Sequence, residues 1–316
     1  MKEPFAGDVP LIKKWLTAIR PWALPASTMP VLFGTSLAVL ADGAPLRAGR
    51  FLLALAAMVI LHSAANMLSD VYDFRLGLDR EVTPVSGAVV RGWLSMRAVT
   101  TAAVVFFLLG SGLGLVLVAL VGRELLYLGV AGVAIGLFYT ALKSHALGDL
   151  AVFLNFGILG ALGAWVVQAG RVSWLPVVWT VPMALLVSAI LHANNWRDML
   201  SDREHRVRTM ASLLGDKMSL VYYGFLIFAP FALVLGLILA PRAFSGLGPS
   251  MPWSFLIILL ALPQALRLWA RARRRRTPRQ PMDFVVLDGA TARLNLTFGL
   301  LCTIALWLDR LFVLAL

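Results

Sequence analysis

Residues 51–81 read FLLALAAMVILHSAANMLSDVYDFRLGLDRE, and the two halves of that stretch want opposite surroundings. Positions 51–69 hold no Lys, Arg, Asp or Glu, whereas Asp70, Asp73, Asp79 and Glu81 follow within a few residues. A helix needs about 20 mostly apolar residues to cross a bilayer core. The stretch therefore reads as a membrane span whose last turns emerge carrying carboxylates. Comparable runs lie near 23–41, 98–121, 125–142, 150–168, 174–195, 218–240, 252–269 and 294–315, giving nine candidate spans. The runs are continuous, whereas strands of a membrane barrel alternate apolar and polar in segments of about ten residues.

Composition agrees. Hydrophobic residues make up 60% of the 316 and charged residues 14%, against about 45–50% and about 25% in soluble domains. Mean hydropathy is +0.84. The chain is therefore expected to be an all-α integral membrane protein, with a segment 1–22 at the interface and one nine-span domain over 23–316. Leu11–Trp22 mixes Lys13, Lys14 and Arg20 with Trp15, Ile19 and Trp22, the composition of a helix lying on the membrane surface. The first residues lack a compact apolar core with a small-residue cleavage site, so no removable signal peptide is expected. Cys302 is the single cysteine and falls in the last span, which rules out an internal disulfide.

Charge sets the orientation. Of the 28 Lys and Arg, 22 lie on the side that carries the N-terminus and the loops after spans 2, 4, 6 and 8. The positive-inside rule places that side in the cytoplasm, as expected for a multi-pass protein of a cytoplasmic membrane. A second acidic cluster, NNWRDMLSDREH (194–205), follows span 6 and so lies on the same side.

The spacing within both clusters is helical. Asn66, Asp70 and Asp73 share one edge if span 2 continues as helix, and Asn194, Asp198 and Asp202 repeat the arrangement. Like charges one turn apart destabilise a bare helix, and carboxylates near hydrocarbon are costly. A divalent cation removes both problems. Oxygen ligands without His or Cys suit Mg²⁺, which binds one or two carboxylates together with substrate phosphates. Nearby Arg75, Arg80, Arg91, Arg197, Arg203, Arg206 and Arg208 offer guanidinium forks for phosphate oxygens. The two clusters read as a Mg²⁺–diphosphate clamp; the plainer alternative is solvated loop charge that only sets topology.

These residues resemble the UbiA superfamily of intramembrane aromatic prenyltransferases. Its first signature, N-x-x-x-D-x-x-D, is met by NMLSDVYD at Asn66, Asp70 and Asp73, and its second by NNWRDMLSD. The extension with Gly77 and Asp79, RPWALPAS (20–27), FYT (138–140), LGD (147–149) and LDGATARLNLTFGLL (287–301) are most similar to the branch that makes menaquinone precursors. Two positions depart from that branch: Ser69 stands where Asn is usual, and Val207 in RVRT (206–209) where Lys is usual.

The resemblance implies a nine-helix bundle with a cytoplasmic-facing cavity. It implies Mg²⁺-dependent transfer of a polyprenyl group from its diphosphate to an aromatic acceptor, 1,4-dihydroxy-2-naphthoate giving demethylmenaquinone. Other acceptors used in the superfamily are 4-hydroxybenzoate, homogentisate, protohaem, chlorophyllide and glycerol-phosphate lipids. Asn66, Asp70, Asp73, Asn194, Asp198 and Asp202 are then expected to hold metal and diphosphate. Arg197 and Lys143 are expected on the diphosphate, with Arg80 and Arg208 behind them. Asp79 is expected as a base or organiser, and Tyr72 and Tyr139 as walls of an allylic-cation pocket. The partners are a prenyl diphosphate, the acceptor and membrane lipid.

Other features read more simply. His62 and His192 are expected to be hydrogen-bonded within the bundle, and His145 and His205 solvated. Asn155 and Gln168 either face the cavity or bond across helices. GSGLGL (110–115) lies inside a span with no strand before it, so it is packing glycine and not a nucleotide loop. The basic run RLWARARRRRTPRQ (267–280) follows a span directly and suits anionic lipid headgroups, so no nucleic-acid partner is expected. A transporter is the rival from another class. It is disfavoured because the carboxylates gather at one face, whereas transporter sites lie near the midplane.

Overall fold

A computed structural model describes residues 9–77, 82, 86–205, 207–244, 246, 248–274 and 287–315. Those residues are almost wholly helical. Helix α1 (Leu11–Ile19) exposes Leu11, Ile12 and Leu16 along one side and buries Ala18, as an interfacial helix does. Arg20 then takes a left-handed conformation (φ 56°) before Pro21, and a short turn leads into α2 (Pro25–Leu40). The two pieces meet at a bend of 53°. Helix α2 spans 16 residues, about 24 Å at 1.5 Å per residue, which is short for a bilayer core.

Among the described residues eight further helices are long and apolar enough to cross a membrane, and the bent α1–α2 pair, counted as one span, makes a ninth. Helix α3 (Ala48–Leu76) carries the opening stretch. No Gly or Pro interrupts its second half, so it runs through Asp73 and stops at Gly77, whose φ of 78° caps it in the left-handed region. Helices α4 (Met96–Val121) and α5 (Arg123–Ser144) follow, then α6 (Gly148–Ala169), which contains a π-helical stretch at Phe153–Leu159. Helix α7 (Trp174–Glu204) carries the second acidic cluster. Helix α8 (Met210–Ala243) is capped by Thr209 and broken at Gly215 (φ 72°). Helices α9 (Trp253–Arg273) and α10 (Leu287–Ala315) complete the bundle.

Burial is uneven. Phe33, Trp165, Trp196, Tyr223, Phe255 and Phe298 are fully buried in a core shared by α2, α6, α7, α8, α9 and α10. By contrast α5 buries only Leu125, and α4 only Val99, Ala103, Gly110 and Leu117. Their exposed faces carry Leu108, Leu109, Leu115, Tyr127, Val130 and Leu137. This is a multi-pass membrane protein whose outer faces are apolar where lipid replaces protein.

With no hydrophobic gain from lipid, helix contact depends on close approach at small residues. Gly34 of α2 lies against the Ala161 carbonyl of α6, and Gly157 of α6 against Ala184 of α7, so a Cβ at either would overlap its neighbour. Within GSGLGL, Gly110 packs on Leu61 of α3, while nothing lies within 4 Å of a Cβ at Gly112 or Gly114. Gly34→Ala is expected to destabilise by about 1–3 kcal/mol through overpacking. Gly236→Ala, with open space around it, should leave the unfolding midpoint unchanged or higher. Tryptophan fluorescence during heating in detergent measures both; equal midpoints would contradict the close α2–α6 approach.

Candidate active site

The carboxylates at the end of α3 and those at the end of α7 meet across a lysine from α5. Lys143 Nζ lies 3.7 Å from Asp73 Oδ1, and its charge also feels Asp202 and Asp198 on α7. Ser69 Oγ donates to Asp73 Oδ2 at 3.3 Å, so the residue that departs from the branch pattern holds the very carboxylate that faces Lys143. Tyr139 lies one turn before Lys143 on the same helix.

On α7, Arg197 grips its neighbour Asp198 in a fork, Nε–Oδ1 2.8 Å and Nη2–Oδ2 2.9 Å. The third edge of the guanidinium donates to Asp288 Oδ2 of α10 at 2.7 Å, and Asn194 Nδ2 reaches the same oxygen at 3.5 Å. Asp202 is buried and accepts from Thr209 Oγ1 at 3.2 Å. The backbone N–H of Val207 donates to the Asp202 carbonyl at 2.8 Å, and the Val207 side chain is buried. The departure at Val207 thus replaces a cation by a buried apolar side chain.

Asp70 is placed differently from its partners. It is 1% exposed, accepts from Val89 N–H at 3.2 Å, and has Arg20 Nη2 at 3.9 Å. A Cβ at Gly87 would coincide with its carboxylate, so only glycine lets the 86–89 segment close over it. Asn66 donates through Nδ2 to the Ile19 carbonyl at 2.8 Å, which fastens the end of α1 to the first cluster.

The remaining expected residues divide. Tyr139 lines the cavity described below, whereas Tyr72 is 39% exposed and lies outside its lining. Arg208 is exposed; what it contributes is its backbone, which donates to the Ser144 carbonyl at 3.2 Å. Asp79 and Arg80 fall outside the described residues. His192 lies inside the bundle, 3.4 Å from Asp149 Oδ2 and 3.3 Å from the Ser219 carbonyl. Gln168 bonds across to the backbone of Arg47 at 2.8 Å.

A cavity of about 680 Å³ runs from this cluster between α3, α4, α5 and α6. Arg20, Asn66, Ser69, Lys143, Asn194 and Asp288 line its polar end, and Leu117, Val118 and Leu125 its far wall. Arg20 and Asp288 lie in motifs quoted from the sequence, yet only the tertiary contacts reveal them as site residues. The volume suits an amphipathic molecule with a charged head and an apolar body.

The donors are hard oxygens, and Asp73 and Asp198 keep 23% and 42% of their side-chain surface exposed. Among the described residues no three of His, Cys, Asp and Glu converge tightly enough to cage an ion. One or two carboxylates per edge, completed by phosphate oxygens, is the manner in which Mg²⁺ is usually bound. The residues fit that ion in the presence of a diphosphate.

The profile of the UbiA prenyltransferase family matches residues 27–287. This chain belongs to that family. It is 33% identical over 314 residues to the UbiA prenyltransferase domain-containing protein 1 homolog of Drosophila melanogaster, covering 95% of this chain and 81% of the relative. The human UbiA prenyltransferase domain-containing protein 1 is also 33% identical, over 293 residues, covering 90% and 81%. The fold matches a UbiA homolog from Aeropyrum pernix K1 with TM-score 0.61 and 23% identity, covering 89% of this chain and 97% of that one. It also matches a UbiA homolog from Archaeoglobus fulgidus, solved with GPP and Mg²⁺, with TM-score 0.61 and 15% identity, covering 92% and 99%. These relatives carry the prenyltransferase family and not the menaquinone branch within it.

Gly87→Ala tests the cover over Asp70. It is expected to push the 86–89 segment off the carboxylate and lower turnover about tenfold or more, a barrier change of roughly 1.4 kcal/mol. The measurement is diphosphate release by protein that still purifies as a folded monodisperse species; wild-type turnover would show that the cover is irrelevant.

Proposed function

We propose that this UbiA-family member is a Mg²⁺-dependent polyprenyltransferase acting on 1,4-dihydroxy-2-naphthoate. The observation that carries the reading is the meeting of two carboxylate-bearing helix ends across Lys143 at the polar end of an apolar cavity. The Archaeoglobus fulgidus homologs solved with DMAPP or GPP and Mg²⁺ support the same ligands here. The choice of naphthoate rests on the sequence motifs; the other superfamily acceptors are the alternatives within the class. A transporter is disfavoured because the ionisable residues gather at one end of the cavity.

In this reading the diphosphate lies between Asp73 on α3 and Asp198 and Asp202 on α7, with Asn66 and Asn194 beside it. The prenyl chain extends into the apolar cavity. Magnesium, when bound there, supplies positive charge to the diphosphate oxygens as the allylic C–O bond breaks. Lys143 adds a fixed cation at the same place, where a dry setting strengthens it. Arg197 holds Asp198 in register through its fork and is itself anchored by Asp288. Asp70 organises the 86–89 cover.

The electron pair of the broken bond leaves with the diphosphate. Tyr139 presents an aromatic face to the allylic cation. The ring carbon that bears the carboxylate of the acceptor forms the new C–C bond and loses CO₂, which leaves a prenylated naphthoquinol, the reduced form of demethylmenaquinone. The Lys and Arg distribution supports a cytoplasmic membrane with the N-terminus inside, residues 23–316 forming the transferase domain.

Purified protein in nanodiscs, given 1,4-dihydroxy-2-naphthoate, a long-chain polyprenyl diphosphate and Mg²⁺, is expected to yield the prenylated naphthoquinol by mass spectrometry. Asp73→Asn and Asp198→Asn should each cut turnover about 100-fold or more, roughly 2.7 kcal/mol of barrier. Lys143→Ala should raise the apparent KM for the diphosphate about tenfold. Chelation of Mg²⁺ should abolish product. Near-normal turnover in both Asp variants would sink the clamp, and product without Mg²⁺ would remove the metal.

A further inference from the structure

Two polar side chains deeper in the cavity take no part in the diphosphate clamp. His62, on α3 one turn before Asn66, is 5% exposed and lines the cavity. Its Nδ1 bonds to Ser27 Oγ of α2 at 2.8 Å, and its ring stacks on Phe156 with centroids 4.4 Å apart. Its other ring nitrogen, Nε2, has no partner among the described residues. Whichever of His62 and Ser27 supplies the proton of their bond, Nε2 is left as one free polar atom, acceptor or donor.

Asn155 is the second. It precedes Phe156 within the π-helical stretch of α6 and also lines the cavity. Its amide reaches toward α5, where a Cβ on Gly132 would lie 3.1 Å from Oδ1 and one on Gly136 4.0 Å from Nδ2. No hydrogen-bond partner of this amide occurs among the described residues. π-Helical turns interrupting α-helices are frequently found at functional sites. An unpaired amide in a membrane interior costs free energy unless a ligand or water satisfies it.

The prenyl chain cannot be what these groups meet, because it has no atom that hydrogen-bonds. We propose that His62 and Asn155, joined through Phe156, form the subsite that holds the ring oxygens of the acceptor. The inference rests on the prenyltransferase reading and deepens it. The occupant is a flat aromatic molecule carrying hydroxyl or carbonyl oxygens.

The position suits that role. His62 lies four residues before Asn66, about 6 Å further along α3 at 1.5 Å per residue. Gly136 lies seven residues before Lys143, about 10 Å further along α5 by the same rise. A ring held between them sits next to the first carbons of the prenyl chain, where the new bond must form. Ser27 fixes the imidazole from behind, and Phe156 offers it a flat wall. Rigid placement of this kind lowers the ordering cost of binding.

The test uses the full-length protein in nanodiscs with two readouts. The first is steady-state kinetics with 1,4-dihydroxy-2-naphthoate and a polyprenyl diphosphate. The second is tryptophan-fluorescence titration, without diphosphate, of three probes: 1,4-dihydroxy-2-naphthoate, 4-hydroxybenzoate and 2-methyl-1,4-naphthoquinone. His62→Leu and Asn155→Leu are each expected to raise the acceptor KM about tenfold, the loss of one hydrogen bond of roughly 1.4 kcal/mol. The KM for the diphosphate should stay within about twofold, a separation that general misfolding would not produce. His62→Gln, which keeps a polar group, should recover part of the loss. Asn155→Ala, on a different helix, keeps the test open if His62→Leu does not fold.

Unchanged acceptor KM in both positions, with an active wild type, overturns the subsite and leaves the transferase reading standing. If the wild type turns over no acceptor yet binds one probe, and the variants weaken that binding, the subsite stands and the choice of acceptor falls. Failure of the wild type to turn over or bind any of the three probes overturns the subsite.

Discussion

Everything at this site depends on one constraint: carboxylates beside hydrocarbon must be paired. The structure meets it with three different partners. Asp73 has Lys143, Asp198 has Arg197, and Asp70 has a backbone N–H with Arg20 nearby. Each cation or donor comes from a different part of the chain, or leads to one. Lys143 brings in α5, Arg197 brings in α10 through Asp288, and Val89 brings in the loop after α3. Charge compensation thus gathers four helices and a loop around one point. Breaking a buried pair costs more than the pair itself contributes, because it strands a charge.

The two clusters are seated in different parts of the packing. The α7 cluster grows out of the large aromatic core, where Trp196 and Met199 are buried beside Tyr223 and Leu226. The α3 cluster rests on a smaller group made by Met67, Val71, Ala88, Val89, Val99 and Ala103, with Ala18 of α1. Between them lie the Lys143–Asp73 pair and the Arg208–Ser144 backbone bond. Polar links of this kind, in place of interdigitated side chains, leave room for a charged head to enter between the clusters.

Much of this arrangement was legible in the sequence, for physical reasons. Apolar length gives the spans directly, and an uninterrupted run up to Gly77 carries the α3 helix through Asp73 as its spacing requires. The break between α1 and α2 was less readable. Composition separates an interfacial helix from the first span, but the left-handed Arg20 before Pro21 and the 53° bend between the two pieces are not written in it. Asp288 and Arg20 were visible only as parts of quoted motifs, because their roles arise from contacts between residues 91 and 50 positions apart in the chain. Local spacing says nothing about such contacts. The role of Val207 is equally tertiary: nothing in RVRT tells that the side chain is buried while its N–H bonds the Asp202 carbonyl.

His62 shows the same limit from the other side. A histidine within an apolar run reads most simply as a buried hydrogen-bonded residue, and it is one, through Ser27. Yet imidazole has two nitrogens, and a partner for one does not satisfy the other. What separates a structural histidine from a ligand-holding one is where the second nitrogen points. For His192 both neighbours are protein: Asp149 at 3.4 Å and the Ser219 carbonyl at 3.3 Å enclose it on two sides. For His62 the second side is cavity, shared with an unpaired Asn155 amide from a helix that departs from α geometry at that position. Two unpaired polar groups lining one apolar cavity are expensive without an occupant, and an oxygen-bearing ring beside the prenyl carbons is the occupant whose chemistry satisfies both.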